Sequence, residues 1–192
     1  MTTPFSANAW VRHLATYEPG KPIEEVAREL GFADVAGIVK LASNENTLGT
    51  SPRVLTALAD LSALNYYPDP KSADLASAIA ARAQVPPDWV MIGNGADALI
   101  HTLTRAFLDD DDEIVIGQST FPSYELSASS MRARVIKTAM PDHRLDLGAM
   151  AGAIGSRTKI VFVCNPNNPT GTTVSSDEVT AFLAQVPDDV LV

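Results

Sequence analysis

The sequence predicts an α/β protein, a three-layer α/β/α arrangement on a mostly parallel sheet preceded by an N-terminal arm. Three observations carry this expectation. From Trp89 onward, short apolar runs alternate with segments at helical spacing, the pattern of a sheet whose strands are joined by helices packed on its faces. Gly93-Asn94-Gly95 stands where such a strand would turn into such a helix. The last residues, Val190-Leu191-Val192, read as the start of a further buried parallel strand.

Composition narrows the function classes. With 192 residues, 46% hydrophobic and 19% charged, the chain has apolar material for a substantial core and is not disordered in character. A net charge of −9 and the lack of any long basic run argue against a nucleic-acid or anionic-membrane surface and leave a small molecule or another protein as partner. Cys164 is the single cysteine, so there is no intrachain disulfide, and His13, His101 and His143 show no metal-ligand spacing. Met1–Trp10 has no basic segment followed by an apolar one, and no stretch approaches membrane-span length, which points to a cytoplasmic protein.

Taken in order, Pro22 opens a helix over Ile23–Leu30, with Glu24 and Glu25 suited to its first turn and Gly31 to its C-cap. Residues 1–45 are expected to form an arm and part of a small domain, and 46–192 the first part of a larger one. Ile38–Ala42 reads as a short strand, Ser43–Gly49 as a polar turn, and Ser51-Pro52 as the start of a helix to about Ala63. Past the turn Tyr66–Pro70, a helix over Ser72–Ala83 carries Leu75, Ala76, Ile79, Ala80 and Ala83 on one face.

The alternating part then comprises strand Trp89–Ile92, helix Ala96–Leu108, strand Ile114–Ile116 and helix Ser123–Met131. Strand Arg134–Thr138, a short helix near Asp146–Ile154, strand Lys159–Cys164 and helix Asp177–Gln185 follow. Helix Ala96–Leu108 is expected to bury Leu99, Ile100, Leu103, Ala106 and Phe107, leaving Asp97, His101, Thr104 and Arg105 on its other side, with His101 solvated or satisfied. The acidic run Asp109–Glu113 reads as a hydrated connection rather than a metal site, and Ser175-Ser176-Asp177-Glu178 as a capping box.

Two loops suggest chemistry. Gly93–Asp97 opens a helix, and a helix N-terminus with glycines offers unpaired N–H groups to a phosphate; a tight strand-to-helix connection explains the same residues. Gly93-x-Gly95-x-x-Ala98 also satisfies a relaxed dinucleotide fingerprint. That site wants an acid after the second strand, and Glu113 precedes it. The second loop, Asn165–Gly171, follows Lys159–Cys164 and would share the carboxyl edge of the sheet with the first, where open α/β sheets place ligands; alone, it is also a rigid loop with two Asn-Pro turns.

Lys40-Leu41-Ala42-Ser43-Asn44-Glu45-Asn46, Tyr67-Pro68-Asp69, Gly93–Asp97, Thr120-Phe121-Pro122-Ser123-Tyr124 and Asn165–Gly171 together resemble, in order, the motifs of histidinol-phosphate aminotransferases, fold-type I pyridoxal-phosphate enzymes. The resemblance runs from about Gly37 onward. It implies an aminotransferase large domain, pyridoxal 5'-phosphate as cofactor, and amino-acid and keto-acid substrates. It implies that Gly95 and the backbone N–H groups of Ala96 and Asp97 hold the cofactor phosphate, that Phe121 stacks on the pyridine ring with Tyr124 beside it, and that Asn168 donates to the phenolic oxygen. Tyr67 would reach a phosphate in the other subunit of a homodimer, and Asn44, Glu45 and Asn46 would line the substrate entrance.

Departures lie in loops: Thr47 and Ser119 stand where the family carries proline, and Asp110-Asp111 where it carries a proline-glycine turn. The family's Schiff-base lysine, the aspartate facing the pyridine nitrogen and the carboxylate-binding arginines would all fall after Val192. The chain is thus expected to be the front part of a longer protein, inactive alone. The implied reaction is ping-pong transamination between histidinol phosphate and 2-oxoglutarate. An aromatic-amino-acid aminotransferase, a phosphothreonine decarboxylase of similar sequence, and a non-catalytic phosphate- or dinucleotide-binding fragment are the alternatives.

Overall fold

Proline fixes φ and glycine accepts a left-handed turn, and these two residues frame the first helix, α1 (Ile23–Leu30), which starts after Pro22 and stops at Gly31 with φ +74°. The computed structural model describes residues 11–14 and 20–192. Met1–Trp10, the first part of the expected arm, lies outside the described residues. The chain divides into two units, one of Thr16–Met91 and one joining Met1–Ala15 to Ile92–Val192.

In the first unit, α2 (Pro52–Leu58) and α3 (Ala73–Ala83) follow α1. Helix α2 ends five residues short of the expected Ala63. The cause is local: the Asp60 carboxylate accepts the Ser62 N–H at 3.1 Å, an Asx turn that competes with helix continuation. Asp69 makes the opposite contribution, accepting the N–H groups of Lys71 at 3.0 Å and Ala73 at 2.8 Å and so opening α3. The Ala73 and Lys71 N–H groups hold its carboxyl below the usual carboxylate range.

Two expected strands are absent here. Ile38–Ala42 forms no ladder with any strand among the described residues, and a strand exists only through its neighbour's hydrogen bonds. Trp89–Ile92 is also not a strand: Pro87–Trp89 forms a 3-10 turn, with the Trp89 N–H donating to the Pro86 carbonyl at 3.0 Å, and Val90 leaves it extended with its own N–H donating to the Pro87 carbonyl at 3.1 Å. Proline pairs favour such turns at the cost of ladder donors. On α3, only Ala76 and Ala80 of the expected apolar face are buried, and Leu75 and Ile79 are exposed.

The second unit is the α/β layer structure the alternation predicts. In chain order it contains α4 (Gly95–Phe107), β1 (Glu113–Gly117), α5 (Pro122–Ser130), β2 (Arg134–Thr138), α6 (Leu147–Gly152), β3 (Thr158–Val161) and α7 (Ser176–Leu183). The strands run parallel in the order β2-β1-β3, with Val115 opposite Ile136 and Val161. A parallel bridge from Ile160 to Leu191 adds a fourth position, where Val190–Val192 was expected to begin a strand.

Side-chain alternation sorts the core into two layers. Ile114, Ile116 and Ile160 pack with Leu108, Ala128 and Ala133 on one face, while Val115 and Val161 pack with Leu145, Leu147, Met150, Val174 and Phe182 on the other. Helices α4 and α5 therefore cover one side and α6 and α7 the other. Asp146 caps α6 through the Ala149 N–H at 2.9 Å, and Ser175 with Glu178 closes the capping box of α7. Arg144 adds a 2.5 Å contact to Glu178, whose carboxyl is held down at about 2 chiefly by that guanidinium and also by the Ser175 N–H.

Helix α4 buries a different stripe from the expected one. Thr104 is 1% exposed and Phe107 53% exposed, because Ile100, Thr104 and Leu108 share the face turned to the sheet and α5. Threonine is tolerated there since its hydroxyl returns to the Ile100 carbonyl at 3.1 Å and meets Ser127 Oγ at 2.6 Å. Ser127 Oγ in turn lies 2.7 Å from His101 Nδ1, so the histidine is satisfied as one of the two expected ways. The acidic connection is held by arginines: Arg132 pairs with Asp110 and Arg134 with Asp111 at 3.0 Å. Among the described residues no cluster could hold a metal ion.

Candidate functional site

A helix that leads into the amino end of a strand must itself begin near the opposite edge of the sheet. Helix α4 does so: it ends at Phe107, the connection Asp109–Asp112 follows, and β1 starts at Glu113, so its N-terminus lies toward the carboxyl edge. Glu113 is the first residue of β1, at the edge away from any dinucleotide ribose on that side.

The start of α4 is built open. Asn94 occupies the N-cap without a side-chain hydrogen bond, and among the described residues the N–H groups of Ala96 and Asp97 meet no protein acceptor. Both residues are exposed. Gly95 has φ +74°, a left-handed conformation in which a side chain is strained. At Gly93 a Cβ would lie 2.8 Å from Leu99 Cδ2, so the leucine side chain would have to move to admit one. Free first-turn donors at the positive end of a 13-residue helix are groups that suit an anion.

Two further loops leave the same edge, one after β1 and one after β3. The β1 loop carries Phe121, half-buried, whose ring meets Tyr124 edge-on at 5.6 Å between centroids. Tyr124 stacks instead on Phe162, centroids 4.3 Å apart and planes 13° apart. Its hydroxyl is pushed well above the usual phenol range, mainly by burial and also by the neighbouring Cys164 thiol. Tyr124 is thus a packing partner of both Phe121 and Phe162.

The β3 loop carries Asn165–Gly171, with cis peptide bonds before Pro166 and Pro169. The two central asparagines behave in opposite ways. Asn168 is partly exposed and, among the described residues, its side-chain amide bonds to no protein group. Asn167 is 3% exposed, and its amide is fully engaged across both loops: Nδ2 donates to the Ser119 carbonyl at 2.9 Å and to Thr170 Oγ1 at 2.8 Å, while Oδ1 accepts from Thr120 Oγ1 at 2.8 Å. The structure therefore ties the loop of Phe121 to the loop of Asn168. Nothing in the sequence separates the roles of two adjacent asparagines; the one available signal is the small polar residues Ser119, Thr120 and Thr170, a donor and acceptor set for a buried amide.

Tyr67, Asn44, Glu45 and Asn46 belong to the Thr16–Met91 unit. Tyr67 is 101% exposed. Ser43 and Asn44 adopt positive φ, Asn46 accepts the Leu48 N–H at 3.0 Å, and Glu45 pairs with Lys40 at 2.9 Å, so the expected polar turn is present and its side chains are exposed.

Against known proteins, the sequence model described as aminotransferase class I and II matches residues 36–192, and the chain belongs to that family. Within it, the similarity is to histidinol-phosphate aminotransferases. The chain is 49% identical over 177 residues to the one from Moorella thermoacetica, covering 92% of this chain and 45% of that protein. It is 43% identical over 183 residues to histidinol-phosphate aminotransferase 2 from Carboxydothermus hydrogenoformans, covering 95% and 50%. The crystal structure of histidinol-phosphate aminotransferase from Sinorhizobium meliloti, in complex with pyridoxal-5'-phosphate, superposes with a TM-score of 0.79 at 25% identity over 100% of this chain and 50% of that one. The chain thus spans about half the length of the curated relatives it matches. The fold is a partial fold-type I aminotransferase α/β domain.

Proposed function

We propose that the protein is a pyridoxal-phosphate-dependent aminotransferase that exchanges the amino group of histidinol phosphate with 2-oxoglutarate, giving imidazole-acetol phosphate and glutamate. The observation that carries the reading is the open N-terminus of α4 on the sheet edge from which the Phe121 and Asn168 loops also leave. The residues present fit the cofactor on the structure's own terms: unpaired N–H groups suit a phosphate, a half-buried aromatic ring suits a flat heterocycle, and an uncommitted amide suits a phenolic oxygen.

In this reading Gly95, Ala96 and Asp97 bind the phosphate through the backbone, so the site needs no cation from this segment. Phe121 holds the ring plane. Asn168 would donate its side-chain N–H to the ring oxygen and favour that oxygen's anionic form. Tyr124 supports Phe121 rather than touching the ring. The cofactor supplies an electron sink for the carbanion formed at the amino acid's α-carbon. The lysine that holds it covalently is assigned to the half of the relatives' length that this chain does not span, and the 192 residues alone are expected to be inactive.

The remaining assignments rest on the resemblance and on the relatives. The protein works as a homodimer in the cytoplasm, with Tyr67 reaching the partner's cofactor phosphate and Asn44, Glu45 and Asn46 at the substrate entrance. Residues 1–45 belong to the arm and small domain and 46–192 to the large domain. No described helix is long and apolar enough to cross a membrane.

The deciding experiment adds pyridoxal phosphate to the full-length protein, follows its visible absorbance, and compares turnover of histidinol phosphate, phenylalanine and phosphothreonine. A visible band with histidinol phosphate as the preferred amino donor is expected. Preference for phenylalanine, or decarboxylation of phosphothreonine, overturns the substrate assignment. Thermal stabilisation by NAD without response to pyridoxal phosphate overturns the enzyme.

A further inference from the structure

We propose that Asn167 is a positioning residue for the cofactor, a buried clip that sets the ring-facing Phe121 and the oxygen-facing Asn168 relative to each other. The inference rests on the cofactor reading above and adds a residue to which that reading gives no role.

The geometry is unusual for a loop side chain. Loops are surface structures, and an asparagine in one normally faces water or its own backbone. Asn167 is instead 3% exposed and spends all three of its strong side-chain contacts on other residues. Two of the three lead out of its own loop: Thr120 is 47 residues away in sequence and Ser119 is 48. They flank the peptide that leads into Phe121. The third, to Thr170, stays in the Asn165–Gly171 loop, and the backbone closes the same turn, with the Asn167 N–H donating to the Thr172 carbonyl at 2.8 Å and the Asn167 carbonyl accepting from Gly171 at 2.7 Å.

The orientation of the amide is chemically fixed. The Ser119 carbonyl can only accept, so the atom facing it must be Nδ2, and the other atom, Oδ1, must take the Thr120 hydroxyl proton. Thr170 Oγ1, having accepted from Nδ2, lies 2.9 Å from Thr172 Oγ1, which donates to the His143 carbonyl at 2.8 Å. The Thr170 and Thr172 hydroxyls thus each have both an acceptor and a donor role. No side chain of another type places two donors and an acceptor in this plane at this size: aspartate presents an acceptor to the Ser119 carbonyl, and leucine leaves the carbonyl and the Thr120 hydroxyl unpaired.

The consequence follows from where the two loops go. Asn168, the next residue, carries the free amide, and Phe121 directly follows Thr120. One amide therefore controls the spacing between the two groups that would grip the ring, which is how a supporting shell preorganises a site. Loss of the clip loosens both loops together without touching the phosphate cup.

The test compares the full-length protein with Asn167→Asp, Thr120→Val and Thr120→Ser, the last keeping the hydroxyl. Three readouts are taken: pyridoxal-phosphate affinity by fluorescence quenching, the pH at which the bound cofactor's visible absorbance interconverts, and amide hydrogen exchange at 119–121 and 167–172 without cofactor. Asn167→Asp is expected to weaken cofactor binding about tenfold or more, to displace the absorbance transition, and to speed exchange in both loops. Thr120→Val is expected to do the same by about threefold, half the logarithmic effect, because it removes one contact where Asn167→Asp removes the two that Nδ2 donates. Thr120→Ser is expected to restore the parent values. A parent protein with a normal band and variants that shift only the melting temperature overturns the clip and leaves the function standing. A parent protein with no band overturns both, and unchanged exchange in the variants overturns the clip on its own.

Discussion

Residues 92–192 and residues 16–91 solve the problem of apolar side chains in different ways. In the first region Ile114, Val115, Val161, Met150 and Phe182 are all at 1% exposure or less, and the buried polar groups Thr104, Ser127, Thr138 and Asn167 each have a partner. In the second, Ala27, Ala76 and Ala80 are the buried apolar residues among those described, while Leu41, Leu48, Leu64 and Tyr67 stand at 77% exposure or more. A seven-residue helix such as α2, with no buried residue, has little to hold it on its own, since helices this short are marginal in water. The apolar side chains of 92–192 are buried among that region's own elements, whereas many of those in 20–91 are left exposed.

The largest test of that difference is Phe182→Ala. It should destabilise the chain by about 3–5 kcal/mol in chemical denaturation, because it empties a site between α7 and the sheet, whereas Leu64→Ser in the other region should change the same measurement by less than about 0.5 kcal/mol. Comparable losses for the two would abolish the contrast. Ser127→Val should cost about 1–3 kcal/mol by leaving the His101 and Thr104 groups to find new partners along the seam of α4 and α5. Ser175→Ala should cost about 1 kcal/mol by removing the cap of α7, read as a lower denaturation midpoint at unchanged slope.

The smallest effect is one of pH. Glu178 is held at about 2 by Arg144, against an ordinary 4.5, so its contribution is present above about 4.5 and is lost as pH falls toward 2. Melting temperature should decline over that window, and less steeply in Glu178→Gln. An identical slope in the variant would mean that other carboxylates govern acid sensitivity.

Much of residues 92–192 was legible because the rules there are local or periodic. Arg134–Thr138 forms the strand its pattern predicts, and Ser175 with Glu178 forms the expected box, since both depend on residues within a few positions of one another. Two of the misses have non-local causes. Ile38–Ala42 has strand composition but no strand to pair with among the described residues, and Thr104 entered the core because a serine 23 residues further on satisfies it. Likewise, the open helix start at Gly95–Asp97 could be read from glycines, whereas the buried contacts of Asn167 could not. Its partners are brought together only by β1 lying beside β3.

The order β2-β1-β3, with Leu191 beyond β3, leaves β2 as the outer strand among the described residues. Open backbone groups on such a strand invite another chain to add to the sheet. Arg134 and Lys137 stand exposed on it, tied to Asp111 and Glu125 at 3.0 and 2.7 Å. An incoming strand would have to displace or desolvate both ion pairs before gaining its hydrogen bonds. The pairs add little to stability as surface contacts, but they guard the sheet against growth by accretion, so neutralising Arg134 and Lys137 should show first as aggregation and only afterwards as any loss of fold.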